Sequence, residues 1–285
     1  MLLQTEQENL ERLFISRYMI PIGIAILVLF IIYRLFKIIQ FLYATKFSKP
    51  LFTHLYLKRN ELTAAQRSIL KKEYAFYNKL KDRHQLHFEH RVAVFINENE
   101  FVGKEELIVT DCMKVIIAAT ATMLTFGFKK HRLNIIDTVI IYPKVYFSSI
   151  NGVYHKGETN PQMKAIVFSW EDFNHGYKIG DDNLNLGIHE FGHAIHLNAK
   201  TSKDISSHIF NTGFNALITY LQSNENVRKN LLASKYFRTY AFTNHFEFFA
   251  VLLENFIETP DEFKSQFPEL YRYMREMLNF RFAGY

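Results

Sequence analysis

The stretch Leu184-Asn-Leu-Gly-Ile-His189-Glu190-Phe-Gly-His193-Ala-Ile-His196-Leu197 decides how this chain is read. As a helix, it puts His189 and His193 one turn apart on one face. Two imidazoles at that separation hold one Zn²⁺, and Glu190 between them lies beside the water that such an ion binds. Zinc lowers the pKa of that water, and Glu190 takes its proton as it attacks a polarised carbonyl. Leu184, Leu186, Ile188, Phe191, Ala194, Ile195 and Leu197 give the helix an apolar side, so a buried active-site helix is expected. Gly192 and Ala194 keep it slim where other elements must approach.

Such a site needs a third ligand, and two candidates arise. His196 returns to the same face, but it lies about 10 Å along the axis from His189, too far for one ion on a straight helix. It reads better as a residue that braces the ligands. The other candidate lies in Tyr240-Ala-Phe-Thr-Asn-His-Phe-Glu247-Phe-Phe-Ala-Val-Leu-Leu-Glu254. Glu247 opens an apolar helical run, and Glu254 follows two turns on, on the same face. Carboxylates on so apolar a helix are costly unless they are paired or bind metal.

His189–His193 followed by Tyr240 and Glu247 resembles the Mlc titration factor A family of zinc-dependent peptidases. The same Tyr-then-Glu spacing is similar to the catalytic domain of anthrax lethal factor. The blocks Asn99–Gly103, Thr110–Ala119, Val139–Pro143, Ile166–Trp170 and Glu247–Val251 follow the family's order, and the resemblance covers about residues 60–282. It implies one Zn²⁺ per chain on His189, His193 and Glu247. It also implies Glu190 as general base, Tyr240 as a transition-state donor and a supporting residue at the position of His196; Glu254, a carboxylate on the same apolar helix face as Glu247, is expected as a further support. One departure stands out: the family usually carries Asp where this chain has His196. The implied substrate is a peptide or protein. Because the family takes its name from binding a transcriptional repressor, the resemblance also implies a regulatory protein partner, sequestered by a peptidase fold, as the alternative role.

A second feature lies near the N-terminus. Tyr18–Tyr33 is free of charged residues, and the apolar character continues past Arg34 to Leu42. This reads as one transmembrane helix, with Arg34 and Lys37 snorkelling to the lipid interface. Glu6, Glu8 and Glu11 precede it and no small-x-small cleavage site follows, which argues against a signal peptide. Pro21 is expected in the helix's first turn. Arg34, Lys37, Lys46, Lys49, Lys58 and Arg59 follow the span, whereas only Arg12 and Arg17 precede it. The positive-inside rule then gives a single-pass protein of the cytoplasmic (inner) membrane, its catalytic domain facing the cytoplasm. The expected layout is a short N-terminal segment (1–17), the anchor (18–42), a juxtamembrane connector (43–61) and a zinc peptidase domain (62–285).

The net charge is +6, with no dense Lys/Arg run interleaved with aromatics, so nucleic acid is not an expected partner. A single cysteine, Cys112, excludes an intramolecular disulfide and reads as a small core residue. Thr63 and Gln66 form a capping-box pair opening a helix over 64–80. His84, His87 and His90 fall on a second helix, 84–97, as solvated surface residues. Asp111–Phe126 is expected as a central core helix. Asp137–Tyr142 and Val145–Ile150 read as strands, and Asn151–Gln162 as a mobile loop. Met163–Trp170 reads as a strand, either the sheet edge along which a substrate peptide adds or an ordinary core strand. The fold class expected is α+β, mostly helical: a zincin-like metallopeptidase domain with an HExxH helix and a small sheet, preceded by one transmembrane helix.

Overall fold

The computed structural model describes residues 12–148 and 152–285, which divide into two compact units between Phe47 and Ser48. Met1–Glu11, most of the short N-terminal segment, and Ser149–Asn151, at the strand and loop expected there, lie outside the described residues. The first unit is one helix, α1 (Arg12–Phe47), long and apolar enough to cross a membrane. At ~1.5 Å per residue its 36 residues span about 54 Å, well beyond a ~30 Å hydrocarbon core. Pro21 lies inside this helix rather than in its first turn. It has no N–H to donate one turn back. The helix accommodates this with a wide π-turn at Ile15–Met19, where the Ile20 N–H reaches the Ile15 carbonyl.

Ser48–Tyr285 forms the second unit. It runs α2 (Ala64–Glu73), α3 (Ala75–Asn78), α4 (Asp82–Glu98), β1 (Glu100–Gly103), α5 (Asp111–Leu124), β2 (Thr138–Tyr142), β3 (Tyr146–Ser148), β4 (Val153–His155), β5 (Gly157–Asn160), β6 (Ala165–Ser169), α6 (Trp170–Lys178), α7 (Leu186–Thr201), α8 (Ile205–Ser223), α9 (Glu225–Ser234), a 3₁₀ turn (Thr239–Phe242), α10 (His245–Glu258), α11 (Pro260–Gln266) and α12 (Pro268–Met277). The Thr63–Gln66 capping box opens α2, but the helix expected to reach residue 80 breaks at Tyr74. Tyr74 leaves the helical conformation and sends its buried hydroxyl to Thr120.

α5 runs through the core as expected, capped by the Thr110 hydroxyl. α4 differs from expectation. His87 and His90 are buried, not solvated. They flank Arg91, which is wholly buried and donates to the carbonyls of Thr125, Phe126 and Phe128 and to the Tyr56 hydroxyl. The segment that follows Phe47 is thereby tied down: His54 stacks on His87 at 4.9 Å, and the Asn60 N–H donates to His90 Nδ1. A histidine spacing that drifts around a helix looks like surface; only the partner chain segment reveals that it is covered.

β1, β2 and β6 pair in parallel, and β5 runs antiparallel along β6, in the order β1-β2-β6-β5. β6 is therefore a central strand, buried at every position, and not the edge. The edge on this side is β5, within the segment expected to be a mobile loop. Its residues Gly157-Glu-Thr-Asn160 are polar because an edge strand is only half covered. Antiparallel β3 and β4 form a separate hairpin just before it.

Candidate metal centre

Asn185 starts α7. Its side chain accepts from the Ile188 N–H, a cap that leaves the helix pointing across the sheet's β5 edge. His189 and His193 then project from one face toward α10. The two helices are close because Gly192 faces Ala250: a Cβ at 192 would lie 3.1 Å from Leu253 Cδ2 and 3.5 Å from Ala250 Cα. A larger residue would wedge them apart. α10 begins at Asn244, whose side chain accepts from the N–H groups of Phe246 and Glu247. This fixes Glu247 in the first turn, opposite the two histidines.

Glu247 Oε2 lies 3.1 Å from His189 Nε2 and 3.4 Å from His193 Nε2. Among the described residues these three are the one group whose ligand atoms all fall within 4.8 Å of one another. Two imidazole nitrogens and one carboxylate oxygen suit zinc, with a fourth position left for water or substrate. The histidines lie in the walls of a helix pair, and Glu247 is largely buried. Burial works against its charge, but hydrogen bonds from His189 and His193 hold its carboxylate well below the usual range.

Glu254 is 0% exposed. Its Oε1 accepts from His189 Nδ1 at 2.6 Å and from Arg238 Nη2 at 2.5 Å, and its Oε2 accepts from the Asn185 N–H at 3.2 Å. A proton held on Nδ1 leaves the Nε2 lone pair free for a metal, so Glu254 sets both the tautomer and the orientation of His189. Arg238 supplies the positive charge that so buried a carboxylate needs. In the metal-free site, burial disfavours the charged imidazole, yet Glu247 and Glu254 raise the His189 pKa to about 9.

Glu190 points to the other side of α7, toward β5. Thr159 donates its hydroxyl to the Glu190 carboxylate at 3.0 Å and to the Glu190 carbonyl at 2.9 Å. Gly157 makes this approach feasible, since a Cβ there would lie 2.8 Å from Glu190 Cγ. Burial raises the Glu190 pKa above that of a free carboxyl, which makes it a better proton acceptor. Tyr240 precedes α10 on the 3₁₀ turn, so the chain folds back to deliver it. Its ring lies 6.1 Å from that of His189. Burial and the neighbouring Glu247 push its pKa up to about 12, so the phenol remains a donor.

His196 is not brought to the other ligands. It is buried in an aromatic cage, 4.5 Å from the Phe214 ring and 5.3 Å from Phe246. Phe246 in turn stacks on His193 at 3.9 Å. His196 thus braces a ligand through packing, and burial lowers its pKa to about 4, keeping the ring neutral. Three further functional contacts went unread in the sequence: Arg238, Asn185 and Thr159. Asn185 carries a legible signal, a capping residue directly before the helix. Nothing local marks Thr159 or Arg238, because each meets its partner across a gap in sequence.

His189, His193 and Glu247 thus form one group that could hold a metal ion. The chain belongs to the glucose-regulated metallopeptidases M90, the family of the Mlc titration factor, whose profile matches residues 51–279. It is also 22% identical over 231 residues to an uncharacterised protein of Synechocystis sp., slr2042, across 73% of this chain and 81% of that one.

Proposed function

We propose that this protein is a membrane-anchored zinc peptidase whose catalytic unit, residues 62–285 with the docked segment before it, faces the cytoplasm. The observation that carries the reading is the convergence of His189 Nε2, His193 Nε2 and Glu247 Oε2, beside a buried Glu190 that is not one of the three. Zinc held there would lower the pKa of its water and polarise the scissile carbonyl. Glu190 takes the proton from the attacking water at its carboxylate, and passes it to the leaving amine. Thr159 holds that carboxylate in place. Tyr240 donates its hydroxyl to the oxyanion that develops on the carbonyl. The β5 edge beside Glu190 offers backbone groups for an extended peptide to pair with, which would hold its carbonyl over the site. The long apolar α1 and the basic residues after it support a single-pass anchor with this orientation.

The test is metal analysis and peptide-library hydrolysis on the full chain and three variants. Glu247→Ala should lose most zinc, and His196→Ala should keep it. Glu190→Gln should keep zinc and lose about 10²- to 10⁴-fold in turnover. Zinc lost from His196→Ala but retained in Glu247→Ala would overturn the ligand set. A zinc-loaded protein that hydrolyses nothing, yet retains a regulatory protein partner, would favour the sequestering role.

A further inference from the structure

Arg91 carries a positive charge into the interior, where it is 0% exposed. Its Nε donates to the Tyr56 hydroxyl, Nη1 to the carbonyls of Thr125 and Phe126, and Nη2 to those of Phe128 and Thr53, so every N–H of the guanidinium ends on a neutral acceptor. Histidines surround it. His84, His87 and His90 precede it on α4, His54 comes from the segment after Phe47, and His131 from the loop after α5. His54 lies flat on His87 at 4.9 Å and is 5.9 Å from His84. His54 Nε2 and both ring nitrogens of His87 are buried without a protein partner, so a second N–H on either ring has no acceptor. The Asn60 N–H donates to His90 Nδ1 at 2.7 Å, which requires the lone pair of that nitrogen. The rings do not converge as metal ligands do: among the described residues only His189, His193 and Glu247 form such a group. The acids nearby are engaged elsewhere. Glu89, also on α4, is bonded to Arg67 and to the Tyr77 hydroxyl. Glu98 and Asp137, which line a 210 Å³ cavity beside Arg91 and His131, are bonded to Arg132 and Lys164. The C-terminal segment presents the Phe282 ring to His54 and His84, and Arg59, Lys81 and Arg83 add exposed positive charge at the outer rings.

We infer that residues 48–60 form a proton-released latch, docked on α4 through neutral histidines and let go when those histidines take up protons. A cation at His54 or His87 would stand buried near Arg91 with no carboxylate to balance it. A protonated His90 would turn an N–H toward the Asn60 N–H and break the bond that closes the docked segment. Burial, and then the charge of Arg91, lower the His54 pKa to about 2. Burial and Arg59 lower that of His87 to about 4, and burial lowers those of His84, His90 and His131. A free imidazole titrates near 6.5, so below that pH the released state binds more protons than the docked one. Docking is therefore fully stable above about pH 6.5 and is lost progressively as pH falls toward 4. Release takes the Thr53 carbonyl and the Tyr56 hydroxyl away from Arg91 and turns a docked connector into a flexible linker between α1 and α2.

The experiment measures nitroxide mobility by electron paramagnetic resonance on the detergent-solubilised full chain. Chelator is present throughout, so that neither metal nor turnover enters the result. In a Cys112→Ser background, one preparation is labelled at Leu55→Cys, a position 68% exposed within the segment, and another at Leu232→Cys, 58% exposed on α9. The Leu55→Cys label should be held at pH 8 and become mobile, reversibly, between about pH 6.5 and 4. The ratio of mobile to held label should rise by more than about tenfold per pH unit, because more than one proton is taken up. The Leu232→Cys label should not change over that range. His87→Phe combined with His90→Asn keeps a ring against His54 and an acceptor for the Asn60 N–H, yet titrates at neither position. Release in that variant should move down by about one pH unit or more and become less steep. Should the double variant fail to fold, His54→Phe alone removes one titrating ring from the stack and should flatten the release curve. No mobilisation by pH 4, simultaneous mobilisation of both labels, or a release curve unmoved by these substitutions would overturn the inference.

Discussion

Replacing Glu254 by Gln is the sharpest perturbation of this site, because the side chain keeps its shape and loses only its charge. All three of its neighbours are donors: His189 Nδ1 at 2.6 Å, Arg238 Nη2 at 2.5 Å and the Asn185 N–H at 3.2 Å. A glutamine has one acceptor oxygen and one NH₂, so whichever way the amide turns, the NH₂ faces a donor. No water reaches the position to compensate. Charge-assisted hydrogen bonds contribute about 1.5–3 kcal/mol each, and breaking a buried charged pair costs about 3–5 kcal/mol. Glu254→Gln should therefore destabilise the metal-free protein by about 3–5 kcal/mol. It should also free the His189 ring to turn, weakening zinc about 10- to 100-fold. Chemical denaturation of the solubilised full chain measures the first, and competition with a chromophoric chelator the second. Glu269→Gln is the control: that residue pairs with Arg272 on an exposed face of α12 and should change stability by less than about 1 kcal/mol. Wild-type stability and zinc affinity in Glu254→Gln would refute the claim that this carboxylate orients His189.

Three further outcomes are expected. Tyr240→Phe should lower kcat by about 10- to 1000-fold with KM and zinc content nearly unchanged, since its donor engages only developing charge; unchanged kcat would make the hydroxyl a bystander. Zinc must displace the proton that His189 holds below about pH 9 in the metal-free protein, so apparent zinc affinity should weaken as pH falls from 9 toward 7. Calorimetry in buffers of different ionisation enthalpy should find a proton released per zinc at pH 7.5, and none released would contradict the assigned protonation. A reporter active only outside the cytoplasm, fused after Tyr285, should stay silent, and a signal from it would place the catalytic unit on the far side of the membrane.

The helix that carries His189 and His193 and the helix that carries Glu247 were legible because their residue spacings are local. His189, Glu190 and His193 share one helical repeat, and Glu247 to Glu254 is a two-turn step that any helix returns to one face. The apolar run of α1 and the Thr63–Gln66 capping box are local in the same sense. What sequence order could not supply is which segments face one another. The edge strand β5 reads as loop because half of it meets water, and its place beside Glu190 depends on antiparallel pairing with β6. His87 and His90 read as surface because the segment that covers them lies about 30 residues earlier in the chain. His196 reads as a brace rather than a ligand from its distance along α7, but only the Phe210–Phe214–Phe249 packing shows which side chains it braces against. Arg238 is the clearest case. Its charge is needed because Glu254 is buried, and burial is a property of the packed helices rather than of either residue. Periodicity fixes which side chains share a face; the tertiary fold decides which faces meet, which charges lose their water, and so which residues must neutralise them.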